Sequence, residues 1–506
     1  MSRRRNILIA AGIIFAVAVL IPVIRHYQLR FAVENYIAQL KAKGELMDLA
    51  QVIPPPVPPE QNGATIFLKA SSLFSTNWNV LGSNPPPTMH MIAPGKATAG
   101  WTQPEIRDGR MVNSWEEIEA ALAEDSEALK LLSHITNGTM FDFNLDYKGG
   151  FDKIKILYLS SLKRAAQKLS AAAMDDLHRG DTASAVKNIS AMLALVNGES
   201  NDRLIISELV RIAIAQMGVA ATWDVLQATS VSDEDLTQLQ QNWQSLEFTA
   251  SLEQTMMFER LTSLQELAQV RNSSEKFDEL WGEFYAPDAP LQKTENMFPS
   301  PIRRSLFWRK WDELRWRWFW SYLDEARGLQ AFQVVVDATQ MAETNKSFQS
   351  VQSFALAKLK LDQNSSDDLR NYSVQSATAL YSALRRAINV EAAQNVVITA
   401  IALKRYELRH HQLPATLDQL TPDLLQAVPV DYMDGQPLRY RLNADGTFLL
   451  YSVGENGVDD GGDPSLEKGV TGSNFYWQNN RALDWVWPQP ATPAEISAYE
   501  KTHSSP

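Results

Sequence analysis

Residues 6–24 form an uncharged run rich in Ile, Val, Leu and Ala, preceded by Arg3, Arg4 and Arg5 and ended by Arg25. At ~1.5 Å per residue, a helix of that length reaches most of the way across a hydrocarbon core about 30 Å thick. The run therefore predicts a transmembrane helix, with Pro22 near the far end, where a kink is tolerated. The competing reading is a cleaved signal peptide. The nearest small-x-small pair, Ala16 and Ala18, lies inside the run, whereas a cleavage site follows it. The arginine cluster favours an N-terminus in the cytoplasm, a bias that Arg25, His26 and Arg30 weaken from the other side. The expected localisation is the inner (cytoplasmic) membrane, single-pass, with residues 1–27 as cytoplasmic tail and anchor and the body periplasmic or extracellular. The membrane is thus the first partner, through residues 6–24.

The rest of the 506-residue chain is ordinary folded protein, 45% hydrophobic and 21% charged, and long enough for two or three domains. A net charge of -12 would repel phosphates, so nucleic acid is not an expected partner. The absence of cysteine excludes disulfides, iron–sulfur ligation, cysteine nucleophiles and a lipoprotein anchor. It also suits an extracytoplasmic protein that avoids stray oxidation.

Residues 28–112 read as a juxtamembrane helix over 28–43 and then a Pro-rich extended segment. Pro54 to Pro59, broken only by Val57, is a stiff spacer because proline fixes φ and removes backbone donors. The stretch from about Ser75 to Gly109, with Pro85, Pro86 and Pro87, predicts long irregular structure. Residues 113–385 predict a helical-bundle body. Ser114 opens a helix with Glu116 and Glu117 in its first turn. Leu162, Ala166, Leu169, Ala173 and Leu177 recur at helical spacing, Gly180 suits a left-handed stop, and Asp181 caps a second helix carrying Val186, Ile189, Leu193 and Val196. This hairpin over 171–195 has the plan of a tetratricopeptide unit, but no second unit follows at a fixed period, which favours two antiparallel helices of a bundle. Ser232 opens a further helix with Leu236, Leu239, Trp243 and Leu246 on one face.

Residues 299–345 carry the most unusual composition. Phe307, Trp308, Trp311, Trp316, Trp318, Phe319 and Trp320 are interleaved with Arg303, Arg304, Arg309, Lys310, Arg315 and Arg317. On a regular helix Trp308, Trp311, Leu314, Trp318 and Tyr322 share a face, and Trp316 and Trp320 fall off it. Three readings stand open. One is a core helix with arginines snorkelling at its rim. Another is a helix at the membrane interface. The third is an interaction site at Trp308, Trp311, Trp316, Trp318 and Trp320 using stacking and cation–π contacts.

Residues 386–490 predict a small α+β domain. Val390, Val397, Ile401 and Leu408 line a long helix ending at His410 and His411. Thr416 and Gln419 have capping-box spacing, and Thr421 with Pro422 reads as an N-cap and first helical residue. Leu438, Tyr440 and Leu442 alternate as a strand, Asp445-Gly446 turns, and Thr447 to Val453 returns. A loop rich in Gly and Asp follows, from Gly454 to Asp463, and residues 491–506 form a tail. These residues carry a resemblance. Leu403 and Tyr406, then Leu413-Pro414, then Asp431, Gly435, Pro437 and Tyr440, then Tyr451, Ser452, Gly454, Asn456 and Gly457, and finally Asp484-Trp485 match in order the motifs of type II secretion major pseudopilins. The stretch resembles the C-terminal domain of that family over about a fifth of the chain. It departs at Tyr432-Met433-Asp434, one residue longer than the family's Pro-Trp, and the N-terminal processing site of pilins is missing. The whole chain also resembles uncharacterised bacterial membrane-anchored proteins, a likeness that implies no activity. In the pseudopilin family this loop binds calcium, so the resemblance implies a structural calcium ion held by Asp459, Asp460, Asp463 and Asp484 with nearby backbone carbonyls. The plain alternative is a solvated acidic turn.

No chemistry-bearing motif stands out. The seven His residues form no zinc spacing, and there is no nucleophile elbow, P-loop or dinucleotide-binding glycine motif. No catalytic residue and no cofactor other than calcium is expected. Overall the chain predicts a mostly α protein with an N-terminal transmembrane helix, a helical-bundle body and a small C-terminal α+β pseudopilin-like domain. The first functional expectation is a membrane-anchored extracytoplasmic scaffold or interaction protein of the bacterial envelope. It would meet envelope protein partners, in association with a type II secretion or pilus-like system. The alternatives are an envelope enzyme of hydrolase type with a site in the helical body, and a ligand- or peptide-binding helical domain.

Overall fold

The computed structural model describes residues 2–75, 88–108, 111–149, 153–281, 306–359, 368–469 and 481–503. The chain is mostly helical with a small share of sheet. Residues 76–87 of the expected irregular stretch, and the part of the Trp-rich segment before Leu306, lie outside the described residues.

Helix α1 (Ser2–Ala42) is a single helix that contains Pro22. Short α2 (Leu49–Val52) and α3 (Ala64–Leu73) follow, then the hairpin β1 (His90–Ala93) and β2 (Lys96–Thr98) and the hairpin β3 (Ile106–Asp108) and β4 (Met111–Asn113). The bundle comprises α4 (Trp115–Glu124), α5 (Ser126–Leu132), α6 (Tyr158–His178), α7 (Thr182–Gly198), α8 (Ile205–Leu226), α9 (Asp233–Gln244), α10 (Thr249–Asn272) and α11 (Ser274–Trp281). Next come α12 (Leu306–Arg315), a π-helical turn over Trp316–Trp320, α13 (Ser321–Asn345), α14 (Phe348–Leu359) and the long α15 (Asp368–His410). Strands β5 (Arg439–Leu442), β6 (Phe448–Ser452) and β7 (Trp485–Val486) form an antiparallel sheet. Finally β8 (Gln489–Pro490) precedes α16 (Pro493–His503).

Local signals explain the helix starts. Ser114 and Glu117 satisfy each other's backbone amides in a reciprocal capping box. The Asp181 carboxylate accepts the Ser184 amide, after Gly180 has turned the chain at φ +80°. Ser232 caps α9 through the Asp235 amide, and Leu236, Leu239, Trp243 and Leu246 are buried as their spacing predicts. Thr421-Pro422 behaves differently from the expectation. It is a cis peptide in a turn that starts no helix, because Leu424 and Leu425 fold back onto Leu420 through their amides.

Three arrangements differ from the modular plan. The Pro-rich segment is not a free spacer. The Val57 amide donates to Asp142, and Ile53 to Pro56 line a cavity with Phe141 and Phe143. The expected boundary at residue 385 falls inside α15, which packs on α8, α9, α10 and α13, and one continuous hydrophobic cluster runs from Leu40 to Trp487. The residues after 490 are not only a tail, since the Ala491 amide donates to the Ala97 carbonyl at 2.7 Å and Glu495 lies 3.5 Å from Lys96. Strand β8 pairs in parallel with β2, joining opposite ends of the chain, and the Trp223 indole donates to the Pro488 carbonyl at 2.9 Å.

Among the described residues, the helix long and apolar enough to cross a membrane is α8, which is internal. It carries the buried charges Glu208, Arg211 and Asp224 and packs against α6, α7 and α15. Its apolarity is that of a core helix surrounded by other helices. In α1, by contrast, every described side chain from Asn6 to Ile21 is exposed.

Buried ion pairs cross-brace the bundle. Lys168 on α6 meets Asp125 at 2.5 Å with both side chains buried, and Asp125 also accepts the Ser75 amide at 2.8 Å. Such a pair gains little over an apolar pair, but losing one partner strands a charge. Lys168→Met is therefore expected to lower stability by about 3–5 kcal/mol in urea unfolding, and Lys168→Met with Asp125→Asn to recover most of the loss. A single variant that unfolds at the wild-type urea concentration would contradict this pairing.

Candidate functional site

The Gly- and Asp-rich loop after β6 is held by its own carboxylates. Asp459 accepts the Tyr451 hydroxyl at 2.9 Å and the Gly461 amide at 3.0 Å, with the Arg439 guanidinium at 3.5 Å. Asp460 accepts from the Asn456 side chain, and Asp463 from the Ser465 amide. Asp484 reaches across, one oxygen accepting the Gly462 and Asp463 amides at 2.8 and 3.2 Å, while its other oxygen is buried with no hydrogen-bond partner. Burial pushes the Asp484 carboxyl up to about 6 against the pull of those amides. Asp459, Asp460 and Asp463 thus lie along one loop, and Asp484, from outside it, bonds to that loop's backbone. Among the described residues no three carboxylate or imidazole groups converge as a metal cage.

The Trp-rich segment divides its aromatics between core and surface. Trp316 is buried against Leu267, Val270 and Phe277. Trp311, Leu314, Trp318 and Phe319 are exposed, and Trp320 is half-buried with the Arg315 guanidinium 4.5 Å from its ring. The Trp308 side chain lies outside the described residues. This division is the split that helical spacing predicts, Trp311 and Trp318 together and Trp316 off their face. A five-residue π turn spans Trp316–Trp320, with Trp316 facing inward and Trp318 and Phe319 outward. This segment meets α1 directly. The His26 ring lies 5.1 Å from that of Trp318 and 4.9 Å from that of Tyr322, and His26 Nδ1 is 3.1 Å from the Trp318 carbonyl.

Two further features were not anticipated. A groove of about 770 Å³ lies where α9, α10, α13 and α15 meet the turn at 422–427 and Tyr432. Glu247, Glu343, Glu391 and Asp423 line it with Lys346, so its wall is acidic. Glu391 also serves the fold, because one of its oxygens accepts the Phe248 and Thr249 amides and caps α10 from a neighbouring helix. Burial raises its carboxyl, a shift the two amides oppose.

The second feature is a buried polar cluster between α7 and α8, beside a cavity of about 180 Å³ lined by Ile53 to Pro56, Phe141 to Leu145, Tyr147, Asn201 and Asp202. Asp202 accepts hydroxyl hydrogen bonds from Tyr147 at 2.8 Å, from Ser207 at 2.7 Å and from Tyr158. Glu208 pairs with Arg211 at 2.6 Å, and Arg211 also donates to the Val196 and Glu247 carbonyls. Glu199 is wholly buried. Its carboxyl is raised far above the usual range, first by burial and then by the charge of Asp202. Burial also pushes Glu259, which accepts the Ile205 amide, up to about 7. Glu199 and Glu259 can hold protons at neutral pH in this water-poor interior. One trace of it was present in the sequence, since Glu208 and Arg211 interrupt an otherwise apolar helix at i, i+3 spacing. The residues contributed from Tyr147 to Glu259 come together only through folding. No family model matches the chain, and neither the curated proteins nor the solved structures contain a match.

The raised Glu199 carboxyl has a definite sign. Its folded-state affinity for a proton exceeds that of the unfolded chain, so its stabilising contribution is complete at acid pH and is lost as pH rises above the unfolded value of about 4.3. Glu199→Gln, which keeps the shape without titrating, is expected to gain stability relative to wild type when melts at about pH 5 and about pH 8 are compared. An equal difference at both pH values would show that Glu199 is not held protonated.

Proposed function

We propose that the chain is a single-pass membrane-anchored scaffold or interaction protein of the bacterial envelope, its body extracytoplasmic, associated with a type II secretion or pilus-like assembly. The observation that carries the anchor is α1. Ile7, Ile9, Ile13, Ile14, Val17, Leu20, Ile21 and Ile24 are all exposed on a helix that continues unbroken into the body, where Val33 and Leu40 are buried. Leaving that apolar surface in water costs on the order of 10 kcal/mol, which a bilayer removes. The helix and its docked end make the anchor stationary with respect to the body, as suits a scaffold. The secretion association draws on the resemblance of the stretch from Leu403 to Trp485 to the pseudopilin C-terminal domain. The acidic groove is the surface offered to a protein partner.

The same reading includes a structural calcium ion at the loop. The orphaned oxygen of Asp484 supports it, with Asp459, Asp460 and Asp463 on the same loop as the neighbouring carboxylates. The ion would fix the loop against β6 and supply no reaction chemistry.

Two experiments test these statements. In spheroplasts, external protease is expected to digest the body of the full-length protein, and in inverted membrane vesicles the body is expected to be protected. Protection in spheroplasts, or full extraction by carbonate, would refute the topology. Calcium is expected to raise the melting temperature of the purified full-length protein relative to chelator, with Asp484→Asn abolishing the difference. Superimposable melts of the wild type would remove the ion from the proposal.

A further inference from the structure

The exposed aromatics are concentrated at one place. Among the described side chains, the exposed Trp, Phe and Tyr residues are Tyr27, Phe31, Trp311, Trp318 and Phe319. Tyr27 and Phe31 lie four residues apart, hence on one side of α1, and begin three residues after Ile24. Trp311, Trp318 and Phe319 belong to α12 and the π turn, more than 280 residues later, and are brought to the same level by the fold. His26 sets that level. It stands two residues beyond Ile24, about 3 Å along the axis, and its ring is 5.1 Å from the ring of Trp318. With residues 6–24 in the hydrocarbon, Trp318 lies beside the end of the span, where the headgroups begin.

Among the described residues of α12 and the π turn, the cations are paired. Arg309 pairs with Asp278 at 2.6 Å, Lys310 with Glu313 at 2.7 Å, Arg315 with Asp312 at 3.2 Å and Arg317 with Glu313 at 2.8 Å. A site built to attract anionic headgroups would leave its cations free. What this surface leaves free is indole and phenyl area, with Leu314 beside it. Amphipathic aromatic rings are favoured at the membrane–water interface without any charge on the lipid. The segment is anchored inward at the π turn through Trp316, while Trp318 and Phe319 face outward.

We infer that Trp311, Leu314, Trp318 and Phe319 form a second membrane contact, an aromatic foot seated in the interface of the bilayer that α1 crosses, binding by ring insertion and not by attraction to anionic lipid. The inference rests on the proposed anchor. It gives the body a two-point attachment, a helix through the bilayer and a foot on its surface, which restricts rotation and rocking of the body about α1.

The absence of cysteine makes the test direct, because one introduced thiol is the only labelling site. Full-length Phe319→Cys, Trp311→Cys, Ile13→Cys and Leu442→Cys proteins are labelled with an environment-sensitive fluorophore. They are then reconstituted in phosphatidylcholine vesicles carrying nitroxide either on the headgroup or at the chain end. The labels at 319 and 311 are expected to be quenched severalfold more by headgroup nitroxide than by chain-end nitroxide. The label at 13 should show the reverse order, and the label at 442, on β5, neither. Adding anionic lipid or high salt should leave the 319 and 311 signals unchanged. Quenching at 319 and 311 no stronger than at 442, with 13 still deeply quenched, would overturn the foot and leave the anchor standing. Absence of deep quenching at 13 would overturn the anchor and the foot with it. Shallow quenching that appears only with anionic lipid would overturn ring insertion as the cause.

Discussion

The relation between anchor and body depends on the guanidinium of Arg260. It is fully buried in α10, where it meets the Glu45 carboxylate at 2.9 Å, donates to the Leu46 carbonyl at 2.9 Å and contacts the Gln333 side chain of α13. Gln333 in turn donates to Glu45. The chain leaving α1 is thereby tied at one point to the two longest helices on that side of the bundle. A planar, permanently charged fork suits this, since its several donors satisfy three partners in fixed directions. Its burial without those acceptors would be prohibitive. With Val33 and Leu40 packed below, the clamp fixes the direction in which α1 departs, and so which part of the body faces the surface the anchor enters. The contact of His26 with Trp318 follows from that direction.

The same logic of buried polar groups bonded across elements holds the ends of the chain to its middle. Glu391 caps α10 from α15, Arg385 forms a bidentate pair with Glu455 on the loop after β6, and Gln394 donates to the Trp243 and Leu246 carbonyls. Strand β8 adds backbone pairing to β2. Each of these replaces hydration with a directional partner, and each would become a buried unsatisfied group if the C-terminal region were separated. That region therefore completes the core of the bundle, and the central helix α15 belongs equally to both.

Local patterns were the most legible part of this chain. Ser114, Gly180, Asp181 and Ser232 act where short-range rules place them, because a cap needs only a side chain and an amide two or three residues away. The hairpin of β5 and β6 follows from alternation and the Asp445-Gly446 turn in the same way. In the Trp-rich segment, counting at 3.6 residues per turn put Trp311 and Trp318 on one face and Trp316 off it, and the structure keeps that split, with Trp311 and Trp318 exposed and Trp316 in the core. Periodicity did not say which of the two faces turns inward, because both carry indole rings. The cluster around Asp202 was hidden for another reason, since Tyr147, Tyr158, Glu199, Ser207 and Glu259 are ordinary residues until five segments bring them together.

By itself the sequence determined the apolar run at residues 6–24, the dominance of helix, the caps that begin those helices and the hairpin near the C-terminus. All of these are set by interactions within about one turn of chain or by the cost of wetting hydrocarbon. Tertiary structure alone decided that the Pro-rich segment lies down on the body, that α15 joins the supposed domains into one core, and which indole rings face outward beside the anchor. These are choices between faces of similar hydrophobicity, and the balance is settled by partners hundreds of residues distant, which no local pattern records.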